Sequence, residues 1–176
     1  MAIDRQKTET VHWHAVFTAS RAEKKVRDRL EELGVECFLP VQTVLRQWTY
    51  RKSRVVVPVI AGLMFVRVGR QEQVKVLQTK GVVAFLRLKG EAGAAVIPDK
   101  QMEDFRFLLD FSEEAVEMTN ENIKAGDLVR VMKGSLRGME GELIRHKGVT
   151  KVLVRIDMLG CAMVNIPASF VEKLNK

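Results

Sequence analysis

The feature that most constrains this chain is a break in its pattern at residues 111–123. That stretch carries four acids, Glu113, Glu114, Glu117 and Glu121, and no base. Before it, 19 Lys+Arg stand against 13 Asp+Glu; after it, ten stand against five. Apolar spacing changes at the same place. N-terminal to the break, runs of period two alternate with runs of period near 3.6. C-terminal to it, only short alternating runs occur, separated by glycines. Charge and period changing together predict two domains, 9–110 and 124–176, joined by a solvated acidic linker over 111–123.

In the first block, Val11–Phe17 reads as a strand. Ser20 stands three residues before Glu23, the spacing of a capping box. Ala22, Val26, Leu30 and Leu33 then form one helical stripe, which Gly34 closes. Val35, Cys37 and Leu39 continue as an extended segment up to Pro40. Gly62–Val68 is a strand whose period of two puts Met64, Val66 and Val68 on one face. Leu63, Phe65 and Arg67 fall on the other, read as partly open and in want of a partner. A helix over Glu72–Thr79 turns Val76 and Leu77 inward. Val82–Leu88 is a further strand, and Pro98-Asp99 open a helix with Met102, Phe105, Leu108 and Leu109 inside. The fold class is α+β, with an antiparallel sheet covered by helices on one face in a ferredoxin-like sandwich. In the second block, Leu128–Met132, Met139–Arg145, Val152–Asp157, Ala162–Ile166 and Phe170–Leu174 predict a small all-β barrel.

Between Val41–Leu45 and Val55–Val59 lies a long hairpin tip. It holds Arg46, Arg51, Lys52 and Arg54 with Trp48 and Tyr50, and no acid. Basic and aromatic groups together can hold phosphates and stack on bases. A net charge of +7 fits a nucleic-acid neighbour. Disorder along the whole chain is excluded by 47% hydrophobic residues. No apolar run reaches about 18 residues, so no transmembrane helix is expected. Met1–Thr10 is polar and carries no leader pattern, which points to the cytoplasm. Cys37 and Cys161 match no ligand spacing. His12 and His14 share a strand face, but nothing nearby completes a metal site. No nucleophile elbow or phosphate-binding glycine loop is present. The chain reads as a binding protein, not an enzyme, with no cofactor.

Residues 124–141 (KAGDLVRVMKGSLRGMEG) resemble the KOW motif: a Gly-Asp entry, an alternating strand, a Gly-x-x-x-Gly turn and a second strand. Trp13-His14-Ala15-Val16, Glu23-Lys24-Lys25-Val26 and Phe38-Leu39-Pro40 resemble the opening of the NusG family of transcription elongation factors. Val57-Pro58 with Gly62–Val66, and Thr79–Leu86, resemble its later signatures. The resemblance runs from about Trp13 to Leu174. It is closest to the specialised RfaH- and UpxY-like paralogs, which act as antiterminators. Where the family commonly has Pro-Gly-Tyr, this chain has Ala61-Gly62-Leu63.

The resemblance implies a NusG N-terminal domain, a linker and an SH3-like KOW barrel working as a monomer off the membrane. It implies that the first domain binds the clamp helices of the largest RNA polymerase subunit. Leu63, Phe65 and Arg67 would line the contact, with Lys24 and Lys25 beside it. Thr79 and Lys80 would face the opposite polymerase pincer or the non-template DNA strand. The hairpin cations would meet nucleic acid, nascent RNA included, or the same second polymerase contact. Leu136, Met139, Met158 and Leu159 would recruit a ribosomal protein or the termination factor Rho. A general elongation factor, or a ribosome-associated RNA-binding KOW protein, are the alternatives.

Overall fold

Strand β1 (His12–Thr18) lies at the heart of a four-stranded antiparallel sheet in a computed structural model that describes residues 9–175. The polar residues 1–8, read above for a leader, lie outside the described residues. Helix α1 (Glu23–Glu32) and strand β2 (Glu36–Phe38) follow β1. Then come the hairpin of β3 (Val41–Trp48) and β4 (Arg51–Pro58), strand β5 (Leu63–Val68), helix α2 (Glu72–Gln78) and strand β6 (Val82–Phe85). Helix α3 (Asp99–Phe111) opens from Pro98, as expected. The sheet order is β2-β5-β1-β6, with Ala15 opposite Phe65 and Phe17 opposite Leu63.

The buried side chains of this region are those the two periodicities select. Val16, Met64 and Val66 of the sheet, Val26 and Leu30 of α1 and Val76 of α2 are all fully buried. Two local expectations fail. Leu77 is 42% exposed, because adjacent helical residues lie about 100° apart and Val76 already faces in. The capping box does not form, because Ala22 occupies the N-cap without a side-chain bond. Glu23 instead turns its buried carboxylate to Gly62, whose N–H donates to Oε1 at 2.9 Å.

C-terminal to α3 the strands are β7 (Glu117–Thr119), β8 (Asp127–Val131), β9 (Glu140–His146), β10 (Val149–Ile156), β11 (Gly160–Asn165) and β12 (Val171–Lys173). They form the small SH3-like barrel, in the order β12-β8-β9-β10-β11-β7. Strand β7 corrects the linker reading. It pairs with β11, Met118 opposite Ala162, so the segment 111–123 is partly a strand of the barrel's own sheet.

Spatial grouping differs from the division at 9–110 and 124–176. One compact unit takes the residues up to Leu39 with Gly62–Val96; the other takes Pro40–Ala61 with Ile97–Lys176. Within the second unit α3 packs on β10, and Gln101 Oε1 accepts from the Asp157 N–H at 2.8 Å. The Gln42 side chain of β3 grips the backbone of Val116 twice, accepting from its N–H at 2.8 Å and donating to its carbonyl at 3.2 Å. Hairpin, α3 and barrel are therefore tied by hydrogen bonds as well as by packing. No helix among the described residues is long and apolar enough to cross a membrane.

Candidate functional site

The strand register decides which side chains meet on the β1–β5 face. Trp13, Ala15 and Phe17 of β1 stand opposite Arg67, Phe65 and Leu63 of β5. Phe38 of β2 stands opposite Phe65 and stacks on it, centroids 6.1 Å apart. This face is not open where it was expected to be. Leu63 is 3% exposed and Phe65 is fully buried. Side chains of the neighbouring strands close over them: Phe17 stands opposite Leu63, and Phe65 lies between Ala15 and the Phe38 ring stacked on it. Arg67 is partly exposed, with its Nη1 3.5 Å from Glu36 Oε2 across the strand pair. The apolar group most open to solvent among these pairs is Phe17, 40% exposed, with Phe38 half-buried. Phe17 matches none of the motif residues above, although the alternation Trp13, Ala15, Phe17 puts it on this face. Lys24 and Lys25 are exposed on α1.

Thr79 and Lys80 part company. Thr79 is buried and its hydroxyl donates to the Lys75 carbonyl at 3.0 Å, so it closes α2. Lys80 is exposed, and its carbonyl accepts from Arg29 Nη1 at 2.6 Å. Arg29, Lys75 and Lys80 therefore border one shallow groove of about 340 Å³.

The β3–β4 hairpin is continuous from Val41–Pro58 to Trp48–Arg51, with Thr49-Tyr50 as its turn. Trp48 is 56% exposed and Tyr50 98% exposed. Arg46, Arg51, Lys52 and Arg54 are all exposed. These four cations and two aromatics are gathered at one tip, as the sequence suggested.

On the barrel, the four proposed contacts divide. Leu136 and Met139 are buried at 6% and 4%, closing the core, and do not form the surface expected of them. Apolar side chains in a barrel this small are needed inside it. Met158 and Leu159 lie in the β10–β11 turn, with Met158 38% exposed. Beneath the Gly-Asp entry, the Gly126 N–H donates to Glu142 Oε2 at 3.0 Å. Arg155 donates to both Glu142 oxygens, at 2.6 and 2.9 Å, and to the Ile123 carbonyl at 3.1 Å. The guanidinium holds the Glu142 carboxyl below the usual carboxylate range, against the opposing effect of burial. Burial pushes the Cys161 thiol up, which keeps it protonated and inert. No group of three or more His, Cys, Asp or Glu among the described residues could hold a metal.

The sequence profile described as "Transcription termination factor nusG" matches residues 11–106, more than half of the chain. The chain belongs to the NusG family. It is therefore a NusG-family transcription factor, and the match covers the whole four-stranded sheet, the hairpin and most of α3. Among solved structures, this NusG-family chain is similar to Thermotoga maritima NusG, in a structure of domain interaction in that protein. They share 22% identity over 94% of this chain and 98% of that one, with a TM-score of 0.51. That likeness is one of fold. Two conformations of the MjSpt4:Spt5 complex overlap more loosely, at 16% and 15% identity and TM-scores of 0.31 and 0.30. They cover 93% of this chain and 97% and 99% of theirs, and add nothing to the assignment. No curated protein matches the chain significantly.

Proposed function

We propose that this NusG-family factor is a bacterial elongation and antitermination factor that grips the RNA polymerase clamp helices through residues 9–110. The observation that carries this is Phe17, a large apolar side chain 40% exposed opposite buried Leu63, on a face where Phe38 is also half-buried. A buried floor with one exposed aromatic is the form of an anchor site. Leu63 and Phe65 are that floor, and Arg67 its polar edge. Lys24 and Lys25 supply positive charge for acids on the polymerase. Lys80 and the hairpin cations make the second contact, with the opposite pincer or with nucleic acid, and Thr79 holds the Lys80 turn in shape. Bridging both sides of the cleft shifts the polymerase away from paused states without any catalysis by the factor. The barrel, with β7 in its sheet, recruits a ribosomal protein or Rho through Met158 and Leu159. Ala61-Gly62-Leu63 favours an operon-specific paralog over a general factor, because an aromatic hydroxyl of the common contact is replaced.

Phe65→Asp would unfold the sheet and prove nothing, so the test is Phe17→Asp in the full chain, with secondary structure checked by circular dichroism. Wild-type protein is titrated against purified bacterial RNA polymerase. Tight binding lost in a folded Phe17→Asp variant is the expected result. Binding that ignores Phe17 but collapses with rising salt would transfer the protein to the RNA-binding class, which the basic hairpin favours.

A further inference from the structure

We propose that the β3–β4 tip holds a single-stranded nucleic acid, stacking a base on Trp48 and another on Tyr50 while Arg46 and Arg51 take the flanking phosphates. This rests on, and sharpens, the nucleic-acid contact proposed above. The register sorts the tip into two unlike faces. Trp48 pairs with Arg51 and Arg46 with Ser53, so these four share one face. Gln47 pairs with Lys52 and Leu45 with Arg54, so Lys52 and Arg54 lie on the reverse. On the first face the indole N–H of Trp48 donates to Ser53 Oγ at 3.1 Å across the strands. This bond orients the ring and occupies its sole donor. The ring therefore offers a partner its π-face and nothing that reads a base edge.

Duplex DNA hides base faces in its own stack, whereas a single strand presents them. Tyr50, at the turn, adds a second aromatic at 98% exposure. Positive charge is unopposed locally: residues 41–58 contain no acid. No ion pair or hydrogen bond among the described residues engages the side chains of Arg46, Arg51, Lys52 or Arg54. Two guanidiniums beside an oriented, solvent-facing indole match the alternation of phosphate and base along one strand.

The test uses the full chain and its own fluorescence, since one of its two tryptophans, Trp13, is 4% exposed and the other is Trp48. Twelve-nucleotide oligothymidylate, oligouridylate and a twelve-base-pair DNA duplex are titrated separately. Either single strand should quench Trp48 and bind about tenfold more tightly than duplex, and the tighter of the two identifies DNA or RNA as the source. Trp48→Ala, which removes the reporting indole and is therefore followed by the anisotropy of a fluorescein-labelled oligonucleotide alongside the wild type, should weaken single-strand binding roughly tenfold. Arg46→Ala with Arg51→Ala should lower the salt slope by about 1.4, the value for two lost phosphate contacts on a single strand. Duplex binding as tight as single-strand binding, an unaffected Trp48→Ala, or no binding would each overturn the proposal. The assay contains no polymerase, so these outcomes are independent of the Phe17 test.

Discussion

Glu142 illustrates how a motif residue acquires its role from partners far along the chain. Its two oxygens are taken by Arg155, and one of them also receives the Gly126 N–H. Arg155 lowers the carboxyl's pKa in the folded state. A lowered carboxyl stabilises the fold above the ordinary carboxylate range, and that stability is lost as pH falls through the folded value. Glu142→Gln should cost about 1–2 kcal/mol at neutral pH, discounted because Arg155 is partly exposed, and should flatten the acid limb of urea unfolding. His14 has the opposite chemistry. Its Nδ1 donates to the Ala95 carbonyl at 2.8 Å, and burial pushes the imidazole down from 6.5. The unfolded chain then takes up the proton first, so stability falls as pH drops below 6.5 toward the folded value. His14→Gln should remove that slope between pH 7 and 5, read from urea midpoints. Gly160 is required twice: its φ is +101°, and a Cβ there would strike the carbonyl oxygen of Thr119. Gly160→Ala should destabilise the barrel by about 1–3 kcal/mol or detach β7, seen as loss of amide protection at Ala162 and Met118.

Among the elements, the hairpin is the one whose strands leave the main sheets, and a lone two-stranded ribbon is marginal in water. Its root is held by the Gln42 amide, which imitates a backbone partner for Val116. Gln42→Ala should speed hydrogen exchange at the Val116 amide several-fold, with the exchange of β9 and β10 unchanged. Most elements were legible in the sequence because their periods are long enough to count. The stripe Val26–Leu30, the strand over 63–68 and the Pro98 start each appear where expected. Strand β7 was not legible: three residues, Glu117-Met118-Thr119, in an acidic run carry no period, and only the edge of β11 makes them a strand. Glu23 misled for the same reason, since its partner Gly62 lies 39 residues away. Alternation correctly put Leu63 and Phe65 on one face but could not say whether that face was covered. Exposure belongs to the assembled sheet, and only the fold singled out Phe17.

At the scale of the whole molecule, sequence blocks and spatial units do not coincide. The hairpin and most of α3 lie inside the family match yet group with the barrel. A chain cut after Phe111 would lose the packing of α3 on β10 and the Gln101–Asp157 bond. Hydrogen exchange of α3 should therefore be faster in residues 1–111 than in the full chain. Equal rates would mean that α3 draws its stability from elsewhere.

Strand β7 also sets how little free chain joins α3 to the barrel. While it stays paired, the free chain between α3 and the barrel is Ser112–Val116 alone. Five residues span at most about 18 Å, against about 45 Å for the thirteen of the whole acidic stretch. Even those five are restrained, with the Ser112 hydroxyl on the Glu114 carbonyl at 2.6 Å and the Asn165 amide on the Glu114 carboxylate at 2.8 Å. Any factor captured by Met158 and Leu159 would thus be carried beside α3, which packs on β10 of the same barrel. More than doubling that span would take the release of β7 from β11 and of α3 from β10 together.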